Sequence, residues 1–307
     1  MLKYLLKRLF EALIVLFCVS IIAFLLIRMT PGNPALMMLP DGAPEEAIRE
    51  MEIQLGLDKP LYVQYFMYIS DVLHGDLGVS TSYRQDVADI IWGRIPVTVE
   101  LALLSVFFGC LIAIPLGIIA GSRQGSATDF FCMVFALLGQ SMSPVWLSVL
   151  NVFVFGVWLG WLPTMGTGTW AHAVLPVLTL AYPMAASIAR IARSGMIDTL
   201  SEDYITATYA KGISGVKVHW KYAFRNALVP VVTLVGLQLG SFLAGTIIVE
   251  TVFGWAGIGQ LLNQSVGNRD YALVQSLLLI TAACFVVINF VVDVINSFID
   301  PRNKLGG

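Results

Sequence analysis

The stretch that decides the fold is Asp203–Pro230, DYITATYAKGISGVKVHWKYAFRNALVP, which covers most of a polar island at residues 189–228. Apolar segments long enough to cross a membrane lie on both sides of this island. The pattern predicts two helices joined at Gly212. A folded loop of this kind indicates a docking site for a soluble partner, while an ordinary basic loop that binds anionic lipid would have the same composition.

The composition of the whole chain identifies an integral membrane protein. Hydrophobic residues make up 57% of the 307 residues and charged residues only 12%, about half the charged share of soluble domains. The formal net charge of −2 argues against a nucleic-acid partner. Six apolar segments of about 20 residues predict an all-α protein with six transmembrane helices. They are Leu9–Ile27, Val99–Ala120, Val134–Leu159, Ala173–Ile188, Val231–Val249 and Leu273–Ile295.

Lysine and arginine predict the orientation, because they concentrate on the cytoplasmic side of a membrane. Their distribution puts the N-terminus, the 189–228 island and the C-terminus in the cytoplasm. The chain then divides into a tail and signal-anchor helix at 1–29, an extracytoplasmic segment at 30–98, a core of five spans at 99–300 and a cytoplasmic tail at 301–307. Two short helices are predicted in the extracytoplasmic segment, at Glu45–Leu55 and Leu61–Leu73.

The third predicted span contains a polar interruption, Gly139-Gln140-Ser141-Met142-Ser143-Pro144. Proline removes a backbone donor and disturbs the preceding helical turn, so we expect a break there. Broken polar backbone is tolerated at membrane depth against protein or along a water-filled path. Two interpretations follow: a packing kink, or a lining of the substrate pathway by Gln140, Ser141 and Ser143.

The polar island has recognisable helix signals. Thr199 and Glu202 have the spacing of a capping box, which predicts a helix of about ten residues ending at Lys211. Gly212 is expected to cap this helix in the left-handed conformation, and Ser214 to cap a second helix. On that second helix we predict a basic stripe, Lys217, Lys221 and Arg225, opposite an apolar stripe, Val216, Trp220, Ala223 and Ala227.

Several kinds of chemistry have no support in the sequence. The phosphate-binding pattern G-x-x-x-x-G-K-[ST] does not occur, so this chain is not expected to bind ATP through such a loop. Hydrolase patterns such as G-x-S-x-G and H-E-x-x-H do not occur either. The three histidines, His74, His172 and His219, lie on separate segments, so no metal site is predicted. No catalytic residue is predicted.

Charged and small residues in the spans leave some roles open. Three carboxylates at span edges are expected to be interface anchors or gating groups: Glu11, Glu100 and Asp293. Arg190 and Arg193 are expected to be anchors at a helix end. Gly236 and Gly240 form a close-packing motif that contacts either another subunit or a neighbouring helix of this chain.

The chain resembles the ABC importer permeases of the dipeptide, oligopeptide and nickel branch. Tyr209-Ala210-Lys211-Gly212, followed by Arg225-Asn226-Ala227 and Pro230, is similar to that branch's cytoplasmic loop. Three positions depart from the pattern of the wider family. That family has glutamate where this chain has Thr206, alanine where it has Thr208, and often proline where it has Arg225. Other similar segments span the chain: Thr30–Pro34, Leu55–Leu61, Gly75–Gly78, Glu250–Gly259 and Arg269–Tyr271.

The resemblance implies the fold of a type I ABC importer transmembrane domain. It implies that the island is a coupling loop that docks on an ATPase subunit, with Asp203, Tyr204, Ala207, Gly212 and Arg225 as its coupling residues. The chain itself is then not an enzyme, because ATP-Mg would bind to the ATPase subunits and be hydrolysed there.

The implied partners are a second homologous permease subunit, two ATP-binding subunits, an extracytoplasmic solute-binding protein and membrane lipid. The implied cargo is a dipeptide or oligopeptide, with glutathione or a nickel complex as alternatives, crossing a bacterial or archaeal cytoplasmic membrane by alternating access. An ion-coupled secondary transporter is the competing class. The turn that follows Glu250 is expected to be structural, with possible contact to the solute-binding protein.

Overall fold

A computed structural model describes residues 2–29, 39, 42–54, 56–244 and 246–299. All regular elements in these ranges are helical. The α-helices are α1 Leu2–Met29, α2 Glu45–Gln54, α3 Leu61–Leu73, α4 Val87–Ser122, α5 Ala127–Ser141, α6 Pro144–Asn151, α7 Trp170–Leu200, α8 Asp203–Ala210, α9 Gly215–Lys217, α10 Phe224–Leu243, α11 Ile247–Val252, α12 Ile258–Gly267 and α13 Tyr271–Ile299. Two π-helical turns, Val152–Trp158 and Val218–Ala223, continue α6 and join α9 to α10.

The predicted all-α class with six apolar spans is confirmed. In the described part of the chain, five helices are long and apolar enough to cross a membrane: Leu6–Leu25, Val87–Ser122, Trp170–Leu200, Gly215–Leu243 and Tyr271–Asn296. The pair Ala127–Ser141 and Pro144–Trp158 supplies the sixth span if the two bent halves are counted together. The predicted tail at 301–307 and the segment Thr30–Pro34 lie outside the described residues.

Two helices extend well beyond their predicted spans. α4 begins at Val87 instead of Val99, and α7 continues to Leu200 instead of Ile188. Hydropathy identifies only the part of a helix that is apolar enough for lipid, whereas the backbone hydrogen bonds continue through the polar ends. With 36 residues, α4 is about 54 Å long, so it exceeds the roughly 30 Å hydrocarbon core of a bilayer.

The centre of the fold is the contact between α4 and α7. Glycines on α4 let the two backbones approach: a Cβ atom at Gly117 would lie 2.5 Å from the Ala192 Cβ, and one at Gly121 would lie 2.5 Å from the Met196 Cβ. Buried small residues on α7, among them Ala185 and Ala189, complete this face. Close approach of this kind is a main source of helix association in lipid.

The Gly236 and Gly240 pair contacts a neighbouring helix of the same chain. A Cβ at Gly236 would overlap the side chain of Val292, and one at Gly240 would lie 3.1 Å from Phe285 Cδ2. Both Val292 and Phe285 belong to α13. Of the two possibilities that the sequence left open, the structure supports packing within the chain.

The segment between α1 and α4 folds against the spans. α2 and α3 form at the two predicted positions, and α3 packs on α1 through a 2.8 Å hydrogen bond between the hydroxyls of Tyr65 and Ser20. Asp270, which is fully buried just before α13, accepts hydrogen bonds from Ser80 Oγ at 2.5 Å and from the Ser82 amide at 3.0 Å. These contacts fix the segment to the first and last spans.

Replacing Gly117 with alanine tests the α4–α7 contact. The new Cβ would lie 2.5 Å from the Ala192 Cβ and 2.8 Å from the Ala189 carbonyl, and such overpacking costs about 1–3 kcal/mol. We expect a lower melting temperature for the purified protein in detergent. Gly93→Ala is the matched control in α4, because no atom lies within 4 Å of its added Cβ. Equal melting temperatures for the two variants would contradict the assignment.

Candidate functional site

The polar island forms a helical hairpin after α7, and we call residues 201–227, which include the first turn of α10, the polar hairpin. Its first arm is α8, which ends where the Lys211 and Gly212 amides donate hydrogen bonds to the carbonyls of Ala207 and Tyr209. Gly212 has a φ of +76°, and nothing lies within 4 Å of a Cβ added there. Glycine is therefore favoured at this position by the backbone conformation of the turn alone.

The predicted capping box is wrong. Thr199 lies inside the last turn of α7, and Glu202 occupies the N-cap position of α8 without a side-chain capping bond. The reason is that α7 does not end with the apolar span but continues as a helix to Leu200. Ser214 does stand at the predicted N-cap position of the second arm, also without a capping bond from its side chain.

One face of the polar hairpin is buried against the C-terminal parts of α4 and α7. Ile205 of α8 and Val218 of the second arm have almost no exposed surface. They form a cluster with Ile118 of α4 and Met196 of α7, together with small residues of the second arm. The hairpin is thus held to the spans by its own apolar core.

The predicted apolar stripe of the second arm is wrong at two of its four positions. Ala223 is buried, as is Ala227, but Val216 is 73% exposed and Trp220 is 48% exposed. The cause is the π-helical turn Val218–Ala223, which replaces the expected helical period with a spacing of five residues between buried positions. Val216 and Trp220 are therefore on the outer surface, near the exposed basic residues Lys217, Lys221 and Arg225.

All five predicted coupling residues are solvent-exposed. For four of them this is all that the structure shows, since the side chains of Asp203 and Arg225 form no hydrogen bond or ion pair with other described residues, and Ala207 and Gly212 have no polar side chain. Tyr204 is different, because its hydroxyl accepts a 2.6 Å hydrogen bond from Asn226 Nδ2 and lies 3.4 Å from the Tyr222 carbonyl. Tyr204 therefore ties α8 to the second arm.

Two contacts that support the polar hairpin are not evident from the sequence. Asn226 holds Tyr204, and the Arg225-Asn226-Ala227 motif is the only signal that could have indicated it. Tyr209, on the other face of α8, places its hydroxyl 3.1 Å from His219 Nε2. These side chains join the two arms of the hairpin at two points, so the hairpin is stiffer than its short helices alone would make it.

A partly buried ion pair braces the end of α7 that leads into the polar hairpin. Arg193 donates hydrogen bonds from Nε and Nη2 to the two carboxylate oxygens of Asp129, at 2.5 Å and 2.7 Å. The Gly125 amide donates a third bond to the same carboxylate at 3.0 Å. Arg193 is therefore an anchor, and its partner Asp129 was not predicted, because sequence alone does not bring residues 64 positions apart together.

The predicted break in the third span is confirmed. α5 ends at Ser141, α6 begins at Pro144, and the two axes differ by 103°. Ser143 caps α6 by accepting a hydrogen bond from the Trp146 amide at 3.3 Å, and Pro144 occupies the first helical position. The Ser141 hydroxyl donates to the Leu137 carbonyl at 2.8 Å.

The three candidate pathway residues lie together at this bend and apart from the polar hairpin. Both serine hydroxyls are used in local hydrogen bonds, so they shape the break. Gln140 is exposed, and its side-chain amide forms no hydrogen bond with other residues that the structure describes. The bend is packed against α7 through Gly139, whose added Cβ would lie 2.8 Å from the Ala186 Cβ.

Comparison with known proteins identifies the family. Residues 113–305 match the model of the "Binding-protein-dependent transport system inner membrane component", and residues 1–102 match the N-terminal model of the same transport systems. The chain belongs to this family of transport permeases. The resemblance to importer permeases of the peptide and nickel branch is thereby confirmed.

Relatives and solved structures agree with the family. The chain is 43% identical to the glutathione transport system permease protein GsiC of Escherichia coli O6:H1, and 42% identical to GsiC of strain K12. Each alignment covers 98% of both chains. An inward-facing structure of the MetNI methionine ABC transporter matches 69% of this chain and 96% of its own, with a TM-score of 0.58 and 19% identity. The fold is therefore that of an ABC importer transmembrane domain, and the protein crosses the membrane several times.

A double-mutant cycle tests the brace between Asp129 and Arg193. Removing one partner of a fully buried ion pair costs about 3–5 kcal/mol, because the other charge is left uncompensated. The Arg193 side chain is 23% exposed, so we expect a smaller cost here. We expect Asp129→Asn and Arg193→Gln to lower the melting temperature, and the double variant to lose much less than the sum. Arg190→Gln, on the exposed side of α7, is the control and should change little. Strict additivity of the two substitutions would contradict the brace.

Proposed function

We propose that this permease couples to its ATPases through the polar hairpin and moves small peptides across the cytoplasmic membrane. The observation that carries the proposal is the exposed surface of a stiff hairpin that is joined directly to two spans, α7 and the helix Gly215–Leu243. The full assembly comprises this chain, a second homologous permease subunit, two ATP-binding subunits and an extracytoplasmic solute-binding protein. ATP-Mg binds to the ATP-binding subunits, and this chain hydrolyses nothing.

The chemistry of the exposed surface supports docking. Tyr209, Val216 and Trp220 present apolar area, and lysine and arginine side chains lie beside them. A surface of this composition fits a groove that is apolar at its base and acidic at its rim. Ala207 is exposed on α8 and has a small side chain, so a partner could approach the α8 backbone closely.

The proposed orientation follows from charge. Lysine and arginine concentrate on the cytoplasmic side of a membrane, and the polar hairpin carries four such residues, Lys211, Lys217, Lys221 and Arg225. The hairpin and the N-terminus are therefore on the cytoplasmic side, and with six spans the C-terminus is there as well. Membrane lipid surrounds the outer faces of the spans.

The proposed cargo is a small peptide. Relatives that align along 98% of the chain are named for glutathione transport, and glutathione is itself a peptide. A dipeptide, an oligopeptide and glutathione share amide groups and carboxylates, so one pathway can serve this class. A nickel complex is the second candidate, and it rests on the family branch alone.

The bend in the third span is proposed to border the pathway. Gln140 carries an exposed amide near the end of a helix that is apolar from Phe130 to Gly139, and such a group is costly against lipid. Its position is favourable beside a water-filled path or a second permease subunit. Ser141 and Ser143 contribute by forming the break that positions Gln140.

Substitution of Gly212 tests the coupling role. Gly212→Val places a β-branched residue at a φ of +76°, where such residues are strongly disfavoured. We expect uptake by the reconstituted complex to fall at least tenfold while the complex still assembles. Gly212→Asn should keep most of the uptake, because asparagine tolerates the left-handed conformation. Wild-type uptake by Gly212→Val would overturn the proposal.

Uptake into vesicles tests the class of transporter and the cargo. The complete complex, with its solute-binding protein outside and ATP-Mg inside, should accumulate labelled glutathione or a dipeptide, and an unlabelled peptide of the same class should compete. An ionophore that dissipates ion gradients should leave uptake unchanged. Uptake that needs an ion gradient and no ATP would support the secondary-transporter alternative instead.

A further inference from the structure

A buried carboxylate joins three helices near the end of α4 that is far from the polar hairpin. Glu250 of α11 has no exposed surface. Its Oε1 accepts a 3.0 Å hydrogen bond from the Thr98 hydroxyl, and its Oε2 accepts a 2.9 Å bond from the Gln260 amide. Thr246 Oγ1 lies 3.5 Å from Oε1. The carboxylate thus links α4, α11 and the first turn of α12.

Thr98 forms hydrogen bonds to both α11 and α12. Its hydroxyl donates to Glu250 and also accepts a 2.8 Å hydrogen bond from the Ile258 amide at the start of α12. Nearby, Trp255 Nε1 donates to the Val97 carbonyl at 3.0 Å, and Arg94 Nη1 donates to the Ala256 carbonyl at 3.0 Å. α4 is therefore joined to the segment from Glu250 to Ile258 by four separate hydrogen bonds.

The glycines of the turn are required by this arrangement. A Cβ at Gly257 would lie 2.6 Å from Glu250 Oε2, and a Cβ at Gly259 would lie 2.9 Å from the Ile247 backbone nitrogen. Only glycine lets the first amides of α12 come this close to the carboxylate. The start of a helix also carries partial positive charge, which favours a carboxylate there.

The carboxylate is held by neutral donors. None of the ion pairs formed by the described residues includes Glu250. Burial raises the pKa of Glu250 above its ordinary value of 4.5, and the hydrogen bonds from Gln260 and Thr98 act in the opposite direction. Because the carboxylate is fully buried, a solute-binding protein cannot contact it directly.

The hydrogen-bonded residues Glu250, Thr98, Ile258 and Gln260 form what we call the Glu250 cluster. The Glu250 cluster and the polar hairpin contact opposite ends of the same helix, α4. Thr98 and Ile118, which contacts the hairpin core, are 20 residues apart on α4, about 30 Å along the helix axis. From the hairpin the chain continues through α10, and Glu250 lies in α11, the next helix along the chain. α4 and the hairpin chain are therefore fastened together at both ends of the transmembrane region.

From this geometry we infer that Glu250 is a positioning residue for transport, which fastens the far end of α10 and α11 to α4. A displacement of the polar hairpin then reaches the segment Ile247–Gly267 as a movement of one connected body. Without the link, α11 and α12 could stay in place while the hairpin moves. The inference rests on the proposed function, because it gives the hairpin a mechanical output at the opposite membrane face.

The test uses the complete reconstituted complex with its ATPases and solute-binding protein, and measures the number of peptides taken up per ATP hydrolysed. Glu250→Gln keeps the size of the side chain but turns one acceptor oxygen into a donor that faces other donors. We expect the number of peptides taken up per ATP to fall at least about fivefold. This fold-change corresponds to the lower end of typical coupling free energies between two sites. Basal ATP hydrolysis should remain.

A second pair of variants keeps the test decisive if Glu250→Gln does not assemble. Thr98→Val removes the hydroxyl that bonds the carboxylate, whereas Thr98→Ser keeps it. We expect the uptake ratio to fall for Thr98→Val and to stay near the wild-type value for Thr98→Ser. Equal ratios for these two variants, or a wild-type ratio for Glu250→Gln, would overturn the inference.

Asp270→Asn is the matched control. Asp270 is also a fully buried carboxylate, but it accepts its hydrogen bonds from Ser80, Ser82 and Leu273, none of which bonds to Glu250 or Thr98. We expect lower stability for this variant with an unchanged uptake ratio. The same fall in ratio for Asp270→Asn would reduce Glu250 to a general structural role. Absence of ATP-driven uptake in the wild type would overturn the proposed function itself.

Discussion

Close packing between α4 and α7 is the constraint on which the rest of the structure depends. Lipid offers no hydrophobic driving force for helix association, so backbones must approach closely enough for many short contacts. Gly117 and Gly121 allow that approach because each faces a small or flexible side chain of α7. The polar hairpin then packs on the paired ends of the two helices, through Ile118 and Met196. The opposite end of α4 carries Thr98, which receives Glu250.

The sequence predicts those features that depend on local pattern. Continuous apolar runs identified the spans, Pro144 and its polar neighbours identified the broken helix, and Gly212 identified the turn of the hairpin. Each of these follows from a property of a few consecutive residues. The positions of helix ends were predicted less well, because α4 and α7 continue past the hydrocarbon region as polar helices.

Features that depend on distant contacts or on irregular helix geometry could not be predicted. The bond between Asp129 and Arg193 joins residues 64 positions apart, and the bond between Thr98 and Glu250 joins residues 152 positions apart. The apolar stripe of the second arm failed because its prediction assumed a regular helix. A π-helical turn has no clear signature in sequence, and it moved Val216 and Trp220 to the surface.

That π-helical turn takes up one extra residue without changing which sides of the chain are buried before and after it. Val218 and Ala223 are five residues apart and both buried, whereas positions on one face of an α-helix lie three or four residues apart. The extra residue therefore adds area to the exposed side of the second arm, where Trp220 and Lys221 lie, and leaves the buried side in register. Loss or gain of one residue within 218–223 can thus be absorbed by exchanging a π-helical turn for an α-helical one, so the exposed area of the hairpin can change in size while its buried contacts with α4 and α7 stay the same.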